Sequence, residues 1–198
     1  MSISPTLADM QRNGFPIGGE PSVALDLVDT VANAHTTPTD LLAHNADAWW
    51  ALQRGRLPES AVPGADATRR LRGILRSVFE AAIDGRLAGG RAVDELNRFA
   101  DSVHSSPRLE VGDGAPAIAT RWHITRDANP RLAAIAHDAI ALLGDPVRRG
   151  QLRRCANPTC SMLFLAENPR RVWCASNICG NRARVARHQH RQKEKTEE

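Results

Sequence analysis

Between Arg70 and Ile83 the apolar side chains Leu71, Ile74, Leu75, Val78, Phe79, Ala82 and Ile83 recur three and four residues apart, the repeat of a helix with one buried face. A second helix is predicted from about Arg91, with Val93, Leu96, Phe99, Ala100 and Val103 on one side, ending before Pro107. Upstream, Leu25, Val28 and Val31 in "ALDLVDTVANAH" have helical spacing and predict a first amphipathic helix. The stretch before it, Phe15 to Val23, holds Gly18, Gly19 and Pro21 and reads as an extended or turn segment. "TPTDLLAHNADAWWALQRGRLP" offers Thr39 and Asn45 as N-caps and stops at Gly55 and Pro58, predicting two short helical pieces anchored by Trp49, Trp50 and Leu52.

The period changes after Pro107. Leu109 and Val111 alternate with polar neighbours, Gly112-Asp113-Gly114 has turn chemistry, and Ile118, Trp122 and Ile124 resume beyond it, so a β-hairpin is expected. "NPRLAAIAHDAIALLGDP" then starts a helix with Asn129 as N-cap and Pro130 at the first position, and ends it at Gly144-Asp145-Pro146. This is expected to be the last helix of a large domain at residues 1–149.

Charge sets the C-terminal part of the chain apart. The first 150 residues carry a formal charge of −2 and the last 48 carry +6, together the +4 of the chain. Arginine is abundant throughout, so its clustering carries more weight than its number. The opening residues have no basic segment leading into an apolar stretch, and no run approaches a membrane span, so a soluble cytoplasmic protein is expected.

The only cysteines, Cys155, Cys160, Cys174 and Cys179, form two C-x4-C pairs within this basic part. Four thiolates converging from two chain segments suit a closed, tetrahedral structural Zn²⁺ site, one per chain. The absence of a signal peptide weighs against two disulfides, clustering weighs against unrelated thiols, and iron–sulfur ligation is the remaining metal alternative. Such a metal supplies about 10–16 kcal/mol to a small module, more than Leu152, Leu163, Phe164, Leu165, Val172 and Trp173 would supply alone, so the tail is expected to fold only with metal.

Ser176 is a candidate N-cap that would put Cys179 in the first turn of a helix running to about Gln192. On it Arg184, Arg187, His188 and Arg191 form a basic stripe, while Ile178 and Val185 would face the zinc module. A metal-pinned basic helix suits phosphate, hence DNA; a solvated face or a docking surface for an acidic protein is the alternative.

At these residues the chain resembles a known family. "LRRCANPTCSMLFL" and "WCASNICGNRARVARHQHR", with the Cys-Gly-Asn-Arg signature, resemble the CGNR zinc finger, and "FPIGGEPSVALDLVDTVANAHTTPTDLLAHNADAWWALQRG" is similar to the ABATE domain that accompanies it. The resemblance implies a bacterial stress-induced transcription regulator: an α+β sensor-like domain, then a treble-clef-like zinc module that binds DNA. By position it makes the four cysteines the metal ligands and places Gly180, Asn181 and Arg182 in the signature, Gly180 for close backbone approach, Asn181 and Arg182 to brace the zinc loop or contact phosphate. Two departures stand out. Asp29 occupies a place where the family pattern often has Asn, and the short insert "LAENPRRV" weighs against DNA contacts from Arg170 and Arg171.

The remaining candidates are weaker. Trp49-Trp50 and Trp122-His123 read as core anchors before they read as a ligand pocket, and His35, His44, His104, His123 and His137 lack metal-ligand spacing. No catalytic motif stands out, so no enzyme is expected. The expectation is therefore an α+β protein: a mainly helical domain with a hairpin at 1–149, serving ligand sensing or dimerisation, and a zinc module at 150–198 that presents a basic helix to DNA. DNA, a second copy of the chain and a small-molecule effector are the expected partners, and a zinc-stabilised protein-interaction adaptor is the alternative.

Overall fold

The computed structural model describes residues 4–33, 38–111, 116–124 and 128–197. Eight α-helices occur among them: α1 (Leu7–Arg12), α2 (Val23–Val28), α3 (Leu42–Leu52), α4 (Ala65–Ile83), α5 (Gly90–Asp101), α6 (Pro130–Gly144), α7 (Pro146–Gln151) and α8 (Asn181–Glu197). Three antiparallel strand pairs accompany them: β1 (Val31–Asn33) with β2 (Pro38–Asp40), β3 (His104–Glu110) with β4 (Ala117–His123), and β5 (Leu152–Arg154) with β6 (Leu163–Leu165). The fold is a mainly helical α+β body to which a small treble-clef-like cysteine module is joined.

The centre of the body is α2, which lies against α4 and α6 with all six of its residues buried. It is therefore not the amphipathic helix that Leu25, Val28 and Val31 suggested. It ends at Val28 because Asp29 becomes its C-cap, and Val31 enters β1 instead. Its first turn is held from outside, since Asp138 on α6 accepts hydrogen bonds from the Ser22 hydroxyl (2.6 Å) and the Ala24 N–H (2.9 Å). Its one internal charge, Asp26, is enclosed by Arg56 (2.6 Å), Gln53 (3.2 Å) and the N–H of Glu20 (3.0 Å). Burial still raises the Asp26 carboxyl to about 6, against the pull of Arg56.

Around this helix the strongest periodicities hold. On α4 the side chains of Leu71, Ile74, Leu75, Val78 and Phe79 are buried, as the spacing requires. On α5 Leu96 and Ala100 are buried, while Val93 is exposed and Val103 lies beyond the helix end. Asn129 caps α6 by accepting from the N–H of Arg131, with Pro130 at the first position. A further short helix, α7, begins at once because Asp145 caps it, so α6 is not the last helix before the cysteines, and the boundary expected at 149/150 falls inside α7.

The middle of the chain differs more. Thr39 caps no helix; it sits in β2, while Asp40 accepts the Leu42 N–H and grips Arg72 through two bonds of 2.7 Å. Two helical pieces do meet at Asn45, where the backbone leaves helical geometry (φ −140°, ψ 28°). Trp49 and Trp50 are buried edge to face in the core, as anchors. The β3–β4 hairpin forms, its expected turn Gly112-Asp113-Gly114 lying outside the described residues, and Trp122 packs edge-on against His137.

The β5–β6 hairpin contributes to the main core as well as to the cysteine cluster. Leu152, Leu163 and Leu165 pack with α2, α4 and α6 residues, while Phe164 joins a second cluster with Ile17, Ala32 and the cysteines. Among the described residues, no further strand pairs with the side of β6 that faces away from β5. Its N–H groups donate to carboxylates instead: Leu163 to Asp29 Oδ1 (3.0 Å) and Leu165 to Glu20 Oε2 (3.1 Å). The tail is therefore tied to the body without metal at its hairpin, which narrows the expected metal dependence to the chain beyond it.

Asp29 is fully enclosed, its Oδ2 has no partner among the described residues, and burial holds its pKa well above the ordinary carboxylate value. A raised folded pKa means that stability from this group is present at low pH and lost as pH rises through the folded pKa, where a buried charge must form. Asp29→Asn keeps an oxygen acceptor for Leu163 and carries no charge. Its Tm is expected to exceed that of the parent at pH 8, with the difference shrinking towards pH 5; thermal melts at both values check this, and a uniform loss at both would refute it.

Candidate metal centre

The first half-site is a tight turn after β5. The Cys155 N–H donates to the Met162 carbonyl (3.0 Å) and the Cys160 N–H to the Asn157 carbonyl (2.9 Å), while Asn157 Oδ1 accepts from the N–H and hydroxyl of Thr159. Asn, Thr and Pro158 make this an Asx-type turn, which brings two cysteines five positions apart to one point. The Asn157 amide also reaches across to the Cys179 sulfur (3.6 Å), linking the two half-sites.

The second half-site is a π-helical turn, Ser176–Gly180, that runs straight into α8. Ser176 is not an N-cap: Ala175 holds that place without a side-chain bond, and the Gly180 N–H bonds the Ala175 carbonyl five residues back. The wider turn is what allows Cys179 to face inward beside Cys174. Gly180 is buried, and a Cβ there would meet Trp173 at 3.4 Å, an ordinary contact, so crowding alone does not demand glycine.

All four sulfurs lie within 4.8 Å of one another, and Cys160 and Cys174 are 3.8 Å apart. Ligands about 2.3 Å from a tetrahedral zinc stand about 3.8 Å apart, so the donor set fits one zinc ion with its shell complete. Without metal, the hydrogen bond from Cys174 lowers the Cys160 thiol to about 5, and the same bond raises Cys174. Burial raises Cys179 to about 11. Zinc must displace these protons, and its charge supplies what burial among Ile17, Ala32 and Phe164 withholds.

The body of the protein completes the site, and the chain pattern did not show this. Gln11 on α1 and Asn177 in the π turn exchange amide hydrogen bonds (2.9 and 3.4 Å), and Ile17 and Ala32 wall the sulfur cluster. The Thr6-x-x-Asp9 capping box that starts α1 was a readable local signal. The central tie is Arg171. Its guanidinium bonds Glu20 (2.7 Å) and the carbonyls of Leu165 (3.1 Å), Trp173 (3.3 Å) and Cys174 (2.7 Å), and lies 4.4 Å from the Phe164 ring. Arg171 therefore braces the zinc loop, whereas Arg170 is exposed.

The helix α8 leaves this centre with its main contact to the π turn. Arg182, Arg184, Arg187, His188, Arg191 and Asn181 are all exposed. Helical geometry gathers Arg184, Arg187, His188 and Arg191 on one face and turns Arg182 to about 160° from it. Ile178 packs on the cysteine cluster, but Val185 does not: it is exposed, because α8 projects away from the module within one turn. The helix also continues past Gln192, to Glu197.

Fold and site define a zinc-finger protein in which the finger is built onto a helical body. Residues 22–146 match the ABATE model, described as "Putative stress-induced transcription regulator", and residues 151–192 match the CGNR zinc finger. The chain belongs to the ABATE family and carries a CGNR zinc finger after the ABATE segment. No curated protein matches it. Among the described residues no helix is long and apolar enough to cross a membrane.

Two outcomes are expected of this centre. Zinc affinity should fall steeply from about pH 8 to about pH 5, because zinc must displace the protons of Cys179 and Cys174 against a rising proton concentration; competition against a chromogenic chelator measures it, and a flat profile would contradict thiolate ligation. Arg171→Ala should cost about 2–4 kcal/mol, because it strands the buried Glu20 carboxylate, and Arg171→Lys, which lacks the planar fork, should fall between. Chemical denaturation of the zinc-loaded protein checks both, and a negligible loss in the alanine variant would remove Arg171 from its bracing role.

Proposed function

We propose that this protein is a DNA-binding transcription regulator acting in the cytoplasm, in which the zinc centre fixes the first turn of α8 and α8 presents Arg184, Arg187, His188 and Arg191 to the phosphate backbone. One observation carries the reading: a helix of 17 residues that, among the described residues, leaves the metal centre without a covering element and exposes Arg184, Arg187, His188 and Arg191. So polar a helix gains little from packing. Its rigidity must come from the metal-anchored end, and a rigid basic face suits a charged groove. The family names describe a regulator and a zinc finger, which agrees with a binding role rather than a catalytic one.

One such helix contacts few base pairs, so the reading includes a homodimer. The hairpin β3–β4 supports a second reading, an adaptor for other proteins, because Leu109 and Ile118 pair across its strands and are 67% and 83% exposed.

If about four phosphates are neutralised, affinity for random-sequence duplex DNA should fall about 150-fold between 50 and 200 mM salt. Fluorescence anisotropy on the zinc-loaded protein measures this, and Arg184→Ala with Arg187→Ala should weaken binding and flatten the salt slope. Zinc at one per chain with no salt-sensitive DNA binding would favour the adaptor.

A further inference from the structure

Beside α4 lies a cavity of about 390 Å³ that neither the metal centre nor α8 uses. Arg69, Arg72, Gly73 and Arg76 form one wall, at i, i+3, i+4 and i+7 on the same helical face; Asn33 and Ser161 stand in the other. Three other clefts in the molecule each set a carboxylate beside their arginines: Glu95, Glu20 with Glu167, and Asp138. Among the described residues this cavity has three arginines in its lining and no acid; the carboxylates that pair with them, Asp40, Asp66 and Glu80, lie outside the lining.

The arginines are held in place without being used up. Asp40 and Thr30 orient Arg72, Glu80 and the Ser161 carbonyl orient Arg76, and Asp66 (3.0 Å) together with Asp40 (3.6 Å) holds Arg69, whose side chain is half exposed. Among the described residues these bonds leave N–H donors free on all three guanidiniums. Asn33 Oδ1 is buried without a partner among the same residues, and an amide can turn either end to a ligand. Gly73 sits mid-helix at an exposed position where a Cβ would meet nothing within 4 Å. Glycine weakens a helix interior, and here no packing requires it; what it provides is open space. Val28, Val31 and Pro38 supply an apolar side.

The cavity also touches the first half-site. Ser161, next to the ligand Cys160, donates to the Val31 carbonyl (3.2 Å), accepts from the Asn33 N–H (3.0 Å) and through its carbonyl accepts from Arg76. We infer that this cavity binds a small organic anion, a carboxylate or phosphate group on an apolar body, and that Ser161 transmits its occupancy to the zinc centre. Arginine forks match both oxyanions in the same way. The inference supplies an effector site for the regulator proposed above and rests on that reading for its biological role, though not for the binding itself.

The test uses the full zinc-loaded chain, with benzoate, phenyl phosphate and benzyl alcohol as probes that share a ring and differ in charge. Thermal-shift titration should show a saturable rise in Tm with one or both anions and none with the alcohol, the tighter anion naming the headgroup. Gly73→Leu, which fills open space on a helix, should keep or raise the ligand-free Tm and abolish the response, and Arg69→Ala should weaken it about tenfold. Zinc loss to a chromogenic chelator should slow when the anion is bound. No saturable response to either anion, an equal response to benzyl alcohol, or a response that survives Gly73→Leu overturns the site, and an unchanged zinc-loss rate overturns the coupling. DNA anisotropy on the same samples separates the two readings: anion binding without DNA binding removes the regulator alone, and DNA binding without anion binding removes the cavity alone.

Discussion

Buried carboxylates that stand in for a missing strand hold this molecule together. A two-stranded hairpin leaves half of its backbone donors unpaired, and on β6 these donors face the interior, where an unmet N–H is costly. Glu20 and Asp29, from the two sides of α2, accept them. The charge brought in by Glu20 is then met by Arg171, which also ties down the carbonyls of Trp173 and Cys174. Body and zinc loop therefore share one polar joint, surrounded by apolar side chains from both. The main core includes leucines from the hairpin, and the sulfur cluster is walled by Ile17 and Ala32 from the body.

This joint divides the work of stabilisation. The hairpin that delivers Cys155 and Cys160 is held by hydrophobic burial and by the carboxylates, and the π turn that delivers Cys179 is held by Gln11 and by the metal. The metal's particular task lies at the second half-site, where it fixes a turn from which a highly polar helix departs. The two levels of order are thus arranged in series: a packed body positions a hairpin, the hairpin and zinc position a turn, and the turn aims a basic face.

Local signals in the chain agree with the structure where one short stretch is enough to define the element. The α4 stripe, the Asn129-Pro130 start of α6 and the paired C-x4-C spacing each depend on neighbours within a few residues. Local signals mislead where a distant group overrides them. For α2, Leu25, Val28 and Val31 suggested an amphipathic helix, yet all six of its residues are buried, with Arg56 covering Asp26 and β6 covering the Asp29 cap. At Val31 helical spacing yields to pairing with Asp40 in β2. At Ser176 an N-cap residue sits inside a π turn, because closing a four-sulfur shell sets the geometry there.

By itself the sequence determined the element types with strong periodicity, the four ligands, the charge division and the basic spacing along α8, since all of these are properties of short segments. Tertiary structure alone decided that Arg171 braces instead of reaching outward, that Val185 is exposed, that the tail shares the body's core, and that three arginines of α4 line one wall of a cavity beside Ser161. The Arg76–Ser161 and Arg171–Glu20 contacts join residues 85 and 151 positions apart in the chain. Nothing in local propensity encodes such pairings; they depend on which buried charge finds a partner once the core has closed.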